Sequence, residues 1–138
     1  MDTWRIDNGF VRGALEGRAY VGPVAKGSAG DAMYHRVLGA LVSTGTLQAM
    51  FSGDGAAHML ARAKLFGSAD GHALVKETLR GYSVDGIALD TSWDDAFAGR
   101  PWEPVAATLL VWEAQGFLLL PGVTPSAQAA ALDRKRGA

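Results

Sequence analysis

The chain contains no cysteine, which excludes disulfides, thiolate nucleophiles and cysteine-ligated zinc. It also lacks a charge excess: 13 Lys and Arg stand against 14 Asp and Glu, a formal net charge of −1. Proteins that neutralise phosphates carry a basic patch or stripe, so neither nucleic acid nor an acidic membrane surface is an expected partner. No apolar run reaches the roughly 20 residues that a membrane-spanning helix needs. The longest, near Leu109–Leu120, is interrupted by Glu113, Gln115 and Gly116. The opening residues, MDTWRIDNGF, have early acids and no apolar h-region, so they do not read as a secretory signal. A soluble, cytoplasmic protein is the expectation.

Reaction motifs are missing as well. A phosphate-binding P-loop needs its lysine after the second glycine, so that backbone and ammonium reach the same phosphates. Here Lys26 precedes Gly27-Ser28, and a plain glycine loop is the better reading. Ser52-Gly53-Asp54-Gly55 resembles a fragment of a calcium loop, but residues 56–65 supply no further oxygen ligands. It reads as a turn with a helix cap. His35, His58 and His72 fall on three different predicted helices or their starts, so any metal site would need tertiary assembly. No nucleophile elbow and no dinucleotide fingerprint is present. No cofactor and no catalytic site is predicted, and the chain reads as a non-enzyme.

What is present fits one ordinary domain. The chain has 138 residues, 49% apolar and 20% charged, enough to bury a real core. Residues 1–30 read as irregular or as two short strands, with Trp4, Ile6, Phe10 and Val11 in the first and Ala19, Tyr20 and Val21 in the second. The turn falls near Gly13–Gly17, with Asn8-Gly9 as an alternative. Dense Gly and Pro make 22–30 a loop.

Short amphipathic helices follow. In the first, capped by Ser28 or entered at Asp31, Met33, Val37, Leu38, Leu41 and Val42 share a face, and Gly45 stops it. In a later helix Met59, Leu60, Ala63 and Phe66 are expected inward, with His58, Arg62 and Lys64 outward. Asp70 is the expected cap of the next, whose inner face is Leu74, Val75, Thr78 and Leu79. Asp85-Gly86 between apolar neighbours is a strong hairpin cue, read as a tight excursion between helices rather than a sheet. Ser92 with Asp95 makes a capping box, which accounts for the acids Asp94 and Asp95 without chemistry. Gly99 ends that helix, and Pro101 and Pro104 confine the start of the last one. Val105, Leu109 and Trp112, with Ala106, Leu110 and Phe117 beside them, make this helix apolar over more than one stripe, so it is either central to the core or part of an interface. The predicted fold is mainly α, a compact bundle of short helices with a small β-hairpin or irregular N-terminal segment. Residues 1–122 form a single helix-rich domain, and 123–138 read as a flexible tail.

The order of pieces in the second half, "VDGIALD" and then "WDDAFAGRPWEPVAATLLVWEAQGF", resembles the tail assembly chaperones of long-tailed bacteriophages. Members of that group carry a comparable helix with Phe-Ala-Gly-Arg before a final apolar helix ending near a phenylalanine. The resemblance covers about residues 31–120; the glycine-rich N-terminal third departs from it. It implies a non-enzymatic helical protein of the host cytoplasm that self-associates, binds the tape measure protein and keeps it soluble during tail assembly. On composition, Trp93, Phe97, Trp102, Phe117, Leu118 and Leu120 are the partner-binding candidates, and each also reads as core. Two other classes are weighed against this. One is a small inhibitor, a toxin-immunity or anti-defence protein, binding one globular target. The other is a small enzyme assembled from Asp94, Asp95 and a histidine.

Overall fold

Two-residue turns organise the N-terminal third. Asn8 and Gly9 both take positive φ, 50° and 81°, the backbone that lets a tight hairpin follow the twist of its strands. The strands β1 (Arg5–Asp7) and β2 (Phe10–Leu15) close on either side of it. Glu16-Gly17 repeats the arrangement and leads into β3 (Arg18–Pro23). Asp85-Gly86 repeats it once more between β4 (Ser83–Val84) and β5 (Ile87–Ala88). In the computed structural model, which describes residues 4–50 and 55–118, β4 pairs with β3. The five strands form one antiparallel sheet in sequence order.

This sheet corrects the expected helical bundle with a small hairpin. Both candidate turns of the N-terminal third are used, giving three strands instead of two. The 85–86 hairpin completes a sheet rather than making an isolated excursion. The glycines that read as breakers have a packing role. A Cβ on Gly13 would meet the Trp4 ring at 2.1 Å, and one on Gly22 would meet the Tyr82 ring at 2.3 Å. Each glycine lets an aromatic ring lie on strand backbone, as expected where close approach is needed. Consequently 22–30 is not all loop: β3 runs to Pro23 and α1 already starts at Gly27.

The helices are α1 (Gly27–Ser43), α2 (Leu47–Met50), α3 (Gly55–Gly67), α4 (Ala69–Thr78), α5 (Leu89–Ala96) and α6 (Glu103–Gln115). Gly45 ends α1 as expected, at φ 69°, with the Thr46 N–H donating to the Leu41 carbonyl at 2.8 Å. Val37, Ala40 and Leu41 are buried on α1, while Val42 is 61% exposed. The inner face of α4 is the expected one, with Leu74, Val75, Thr78 and Leu79 buried. Its cap is Ser68 rather than Asp70: the Ser68 hydroxyl accepts from the Gly71 N–H at 3.1 Å. The Ser92 capping box does not form. Ser92 lies at a kink inside α5 and its hydroxyl donates back to the Ala88 carbonyl at 2.6 Å.

The face of α3 is also corrected. Ala61, Leu65 and Phe66 are buried, while Met59 and Leu60 are 63% and 74% exposed. The helix is apolar on both sides, so the largest side chains do not identify the inner one.

Helix α6 divides the interior. Ala107 and Val111 pack toward the sheet with Val11, Tyr20, Val84 and Leu89. Trp112 packs in a second cluster with Val37, Leu41, Leu65 and Leu74 of the other helices. Its apolar surface serves the core through Ala107, Val111 and Trp112, which are fully buried, while Val105, Ala106, Leu109 and Leu110 are half-buried. Gly116 closes it in the left-handed conformation.

Candidate functional site

Two side-chain constellations stand out, one charged and buried, the other apolar and open. The first centres on Glu103, the opening residue of α6, which is fully buried. Its carboxylate lies 3.1 Å from Arg18 and 2.9 Å from Arg100. It also accepts a hydrogen bond from the Tyr20 hydroxyl. Burial pushes the Tyr20 hydroxyl far above the ordinary tyrosine range, and the bond to Glu103 adds to it. A buried carboxylate needs paired charge and several donors to be tolerated, and this one has both. Arg18 and Arg100 then line a shallow cleft of about 430 Å³ that also touches Asp85 and Asp95. Nothing in the sequence marks Glu103. An acid in a first helical turn beside a proline looks like ordinary dipole compensation.

The second constellation is a groove of about 470 Å³ where α4, α5 and the start of α6 meet. Val75, Phe97, Pro104 and Val105 give it apolar walls, and Trp93 stands beside them. The Trp93 and Phe97 rings meet edge to face, 4.9 Å apart. The Lys76 ammonium lies 5.6 Å from the Trp93 ring centre, an attractive cation–π distance. His72 and Asp94 share the lining, both exposed. An apolar groove with a few polar groups at its edge is the usual form of a binding site.

The partner-binding candidates separate cleanly. Trp93 is half-buried beside the groove, and Phe97, 7% exposed, forms its wall. Trp102 is 46% exposed at the N-cap of α6, between Pro101 and Glu103. Phe117 is buried in the helical core cluster and Leu118 packs against it, so both serve the interior. Leu120 lies outside the described residues, as do residues 51–54 and the 123–138 tail. Of the acids and histidines, the groove brings Asp94 and His72 together, whereas Asp95 lines the Arg18–Arg100 cleft. His35 is exposed on α1 and His58 half-buried on α3. Among the described residues no group of three or more His, Asp or Glu side chains is placed to hold a metal ion, and no helix is long and apolar enough to cross a membrane. Compared with known proteins, the chain matches no family model, no curated protein and no solved structure.

Proposed function

We propose that this chain is a non-catalytic protein-binding domain and, following its resemblance, a phage tail assembly chaperone that holds the tape measure protein soluble in the host cytoplasm. The observation that carries the reading is the Trp93–Phe97 groove, apolar in its walls and edged by Lys76 and Asp94. A groove of this kind takes the apolar face of an amphipathic helix, the form in which a long helical client offers its surface. The Trp102 ring, 46% exposed between Pro101 and Glu103, is a further apolar contact candidate. The outward Met59 and Leu60 side chains of α3 offer a second exposed apolar surface. Many modest apolar contacts suit a client that must later be released as tube subunits polymerise.

The test is co-expression with a helical tape measure fragment from the same locus, followed by pull-down and titration. Binding of the wild type, weakened at least about tenfold by Trp93→Ala with Trp102→Ala, is expected; each factor of ten is about 1.4 kcal/mol. A stoichiometric complex with one globular protein, and none with the fragment, would replace the chaperone with the inhibitor reading. Retention of the fragment by the double variant at wild-type affinity would remove the groove from the account.

A further inference from the structure

The two edges of the sheet are finished differently. At the β5 edge the outward carbonyl of Ala88 is taken by the hydroxyls of Ser92, at 2.6 Å, and Thr91, at 3.4 Å. Helix α5 thus closes its own edge. At the β1 edge the alternation of the ladder leaves Ile6 facing outward. Across a two-residue turn the flanking residues, here Asp7 and Phe10, exchange both backbone bonds. The next pair, Ile6 and Val11, does not, because such pairs alternate. The backbone N–H and C=O of Ile6 therefore point away from β2, and its side chain is 49% exposed. Among the described residues no strand pairs with this edge, and an unpaired strand edge is a template for another strand.

The β1 sequence specifies which strand fits. Arg5-Ile6-Asp7 is charge-complementary to itself when run antiparallel: centred on Ile6, a second copy sets its Asp7 against Arg5 and its Arg5 against Asp7. The two Ile6 residues then form a symmetric hydrogen-bonded pair, each giving its N–H to the other's carbonyl.

We infer that two copies of this chain associate through antiparallel β1–β1 pairing about Ile6, joining their sheets into a single continuous one. The interface is isologous, as two-fold dimers require. A three-residue strand buries far less than the roughly 1,000 Å² of a stable interface, so the dimer is a rapidly exchanging one that forms at high concentration. It goes beyond the client-binding reading and stands without it.

The experiment is sedimentation of the full chain from micromolar to millimolar concentration, on the wild type, Arg5→Asp and Asp7→Arg. The wild type dimerises with rising concentration. Each single variant sets like charges against each other across the axis and stays monomeric. An equimolar mixture of the two restores a dimer, because the all-acidic strand of one variant then faces the all-basic strand of the other at both charged positions. Ile6→Pro removes an N–H that β2 does not use, and abolishes the dimer with the far-ultraviolet spectrum unchanged. A wild type that is monomeric throughout the range, single variants that dimerise as the wild type does, or a mixture that stays monomeric would each overturn the proposal.

Discussion

Arg18, the first residue of β3, holds the carboxylate of Glu103, the first residue of α6, at 3.1 Å in the interior. This contact joins the sheet to the helix that divides the core. Tyr20, two residues along the same strand and so on the same face, donates to the same carboxylate oxygen. Arg100 reaches the other oxygen at 2.9 Å from the turn that precedes the helix. Strand, turn and helix are therefore tied at a single carboxylate. The Arg18 guanidinium also lies 5.7 Å from the Phe97 ring centre. The charged latch thus sits against the back of the aromatic pair that walls the groove.

Removing the carboxylate charge should be costly. Glu103→Gln leaves two arginines and a buried tyrosine hydroxyl facing a neutral amide, and breaking a buried charge cluster from one side costs about 3–5 kcal/mol. Urea unfolding is expected to show that loss, with a lowered midpoint and an unchanged slope. A loss below about 1 kcal/mol, the scale of an exposed ion pair, would mean that the cluster is solvated and does not act as a latch.

Two glycine-to-alanine substitutions should move stability in opposite directions. On Gly22 a methyl would sit 2.3 Å from the Tyr82 ring, which is itself only 2% exposed and has no room to retreat. Overpacking of this kind costs about 1–3 kcal/mol. Gly39 lies on the exposed side of α1, and an alanine methyl there would have no neighbouring atom within 4 Å. Alanine at that position is favoured by up to about 1 kcal/mol through helix propensity. Thermal melts of the pair check both signs together.

The helices are legible where a local rule decides them. Gly45 stops α1 in the left-handed conformation, and the inner face of α4 follows from spacing alone. The sheet is legible only in part: its turns at Asn8-Gly9, Glu16-Gly17 and Asp85-Gly86 follow local cues, but Gly22 is explained only by the Tyr82 ring that reaches it from far along the chain. Helix α3 misleads for a different reason. Met59 and Leu60 are larger than Ala61, so size outweighs the phase that Leu65 and Phe66 share with Ala61. Composition picks out Trp93 and Phe97, but not the α4 residues Val75 and Lys76 that complete the groove with them. Glu103 carries no signal at all, since its meaning depends on Arg18 and Tyr20 arriving from a strand.

The indole of Trp112 anchors the helical half. Its N–H donates to the Thr78 hydroxyl at 2.9 Å in a site where Trp112 is fully buried, and its ring stacks on Phe66 at 5.6 Å. Thr78→Val keeps the shape and removes the acceptor, leaving a buried donor unsatisfied at a cost of about 1–3 kcal/mol. Equilibrium unfolding followed by tryptophan fluorescence checks this. Thr78→Ser, which restores the hydroxyl and loses only a methyl, should recover part of the loss. If the valine and serine variants are equally stable, the hydrogen bond contributes nothing.

Stability should also fall at alkaline pH, and Tyr82 allows its share to be isolated. Burial raises the Tyr82 hydroxyl above its ordinary range. In the unfolded chain a tyrosine loses its proton near pH 10, whereas the folded chain holds this one to higher pH. The contribution is therefore full below about pH 10 and declines above it, by up to about 1.4 kcal/mol per pH unit for each such tyrosine. Tyr20 is shifted in the same direction, but its removal would disturb the Glu103 cluster. Tyr82→Phe keeps the ring over Gly22 and loses only a long hydrogen bond to the Pro23 carbonyl, 3.4 Å. The variant should match the wild type closely at neutral pH and lose stability less steeply between about pH 10 and 11. Subtracting the two urea-unfolding series cancels the lysines and other tyrosines that both proteins share. A difference that does not grow with pH would show that the Tyr82 hydroxyl ionises in the folded protein as it does in the unfolded chain.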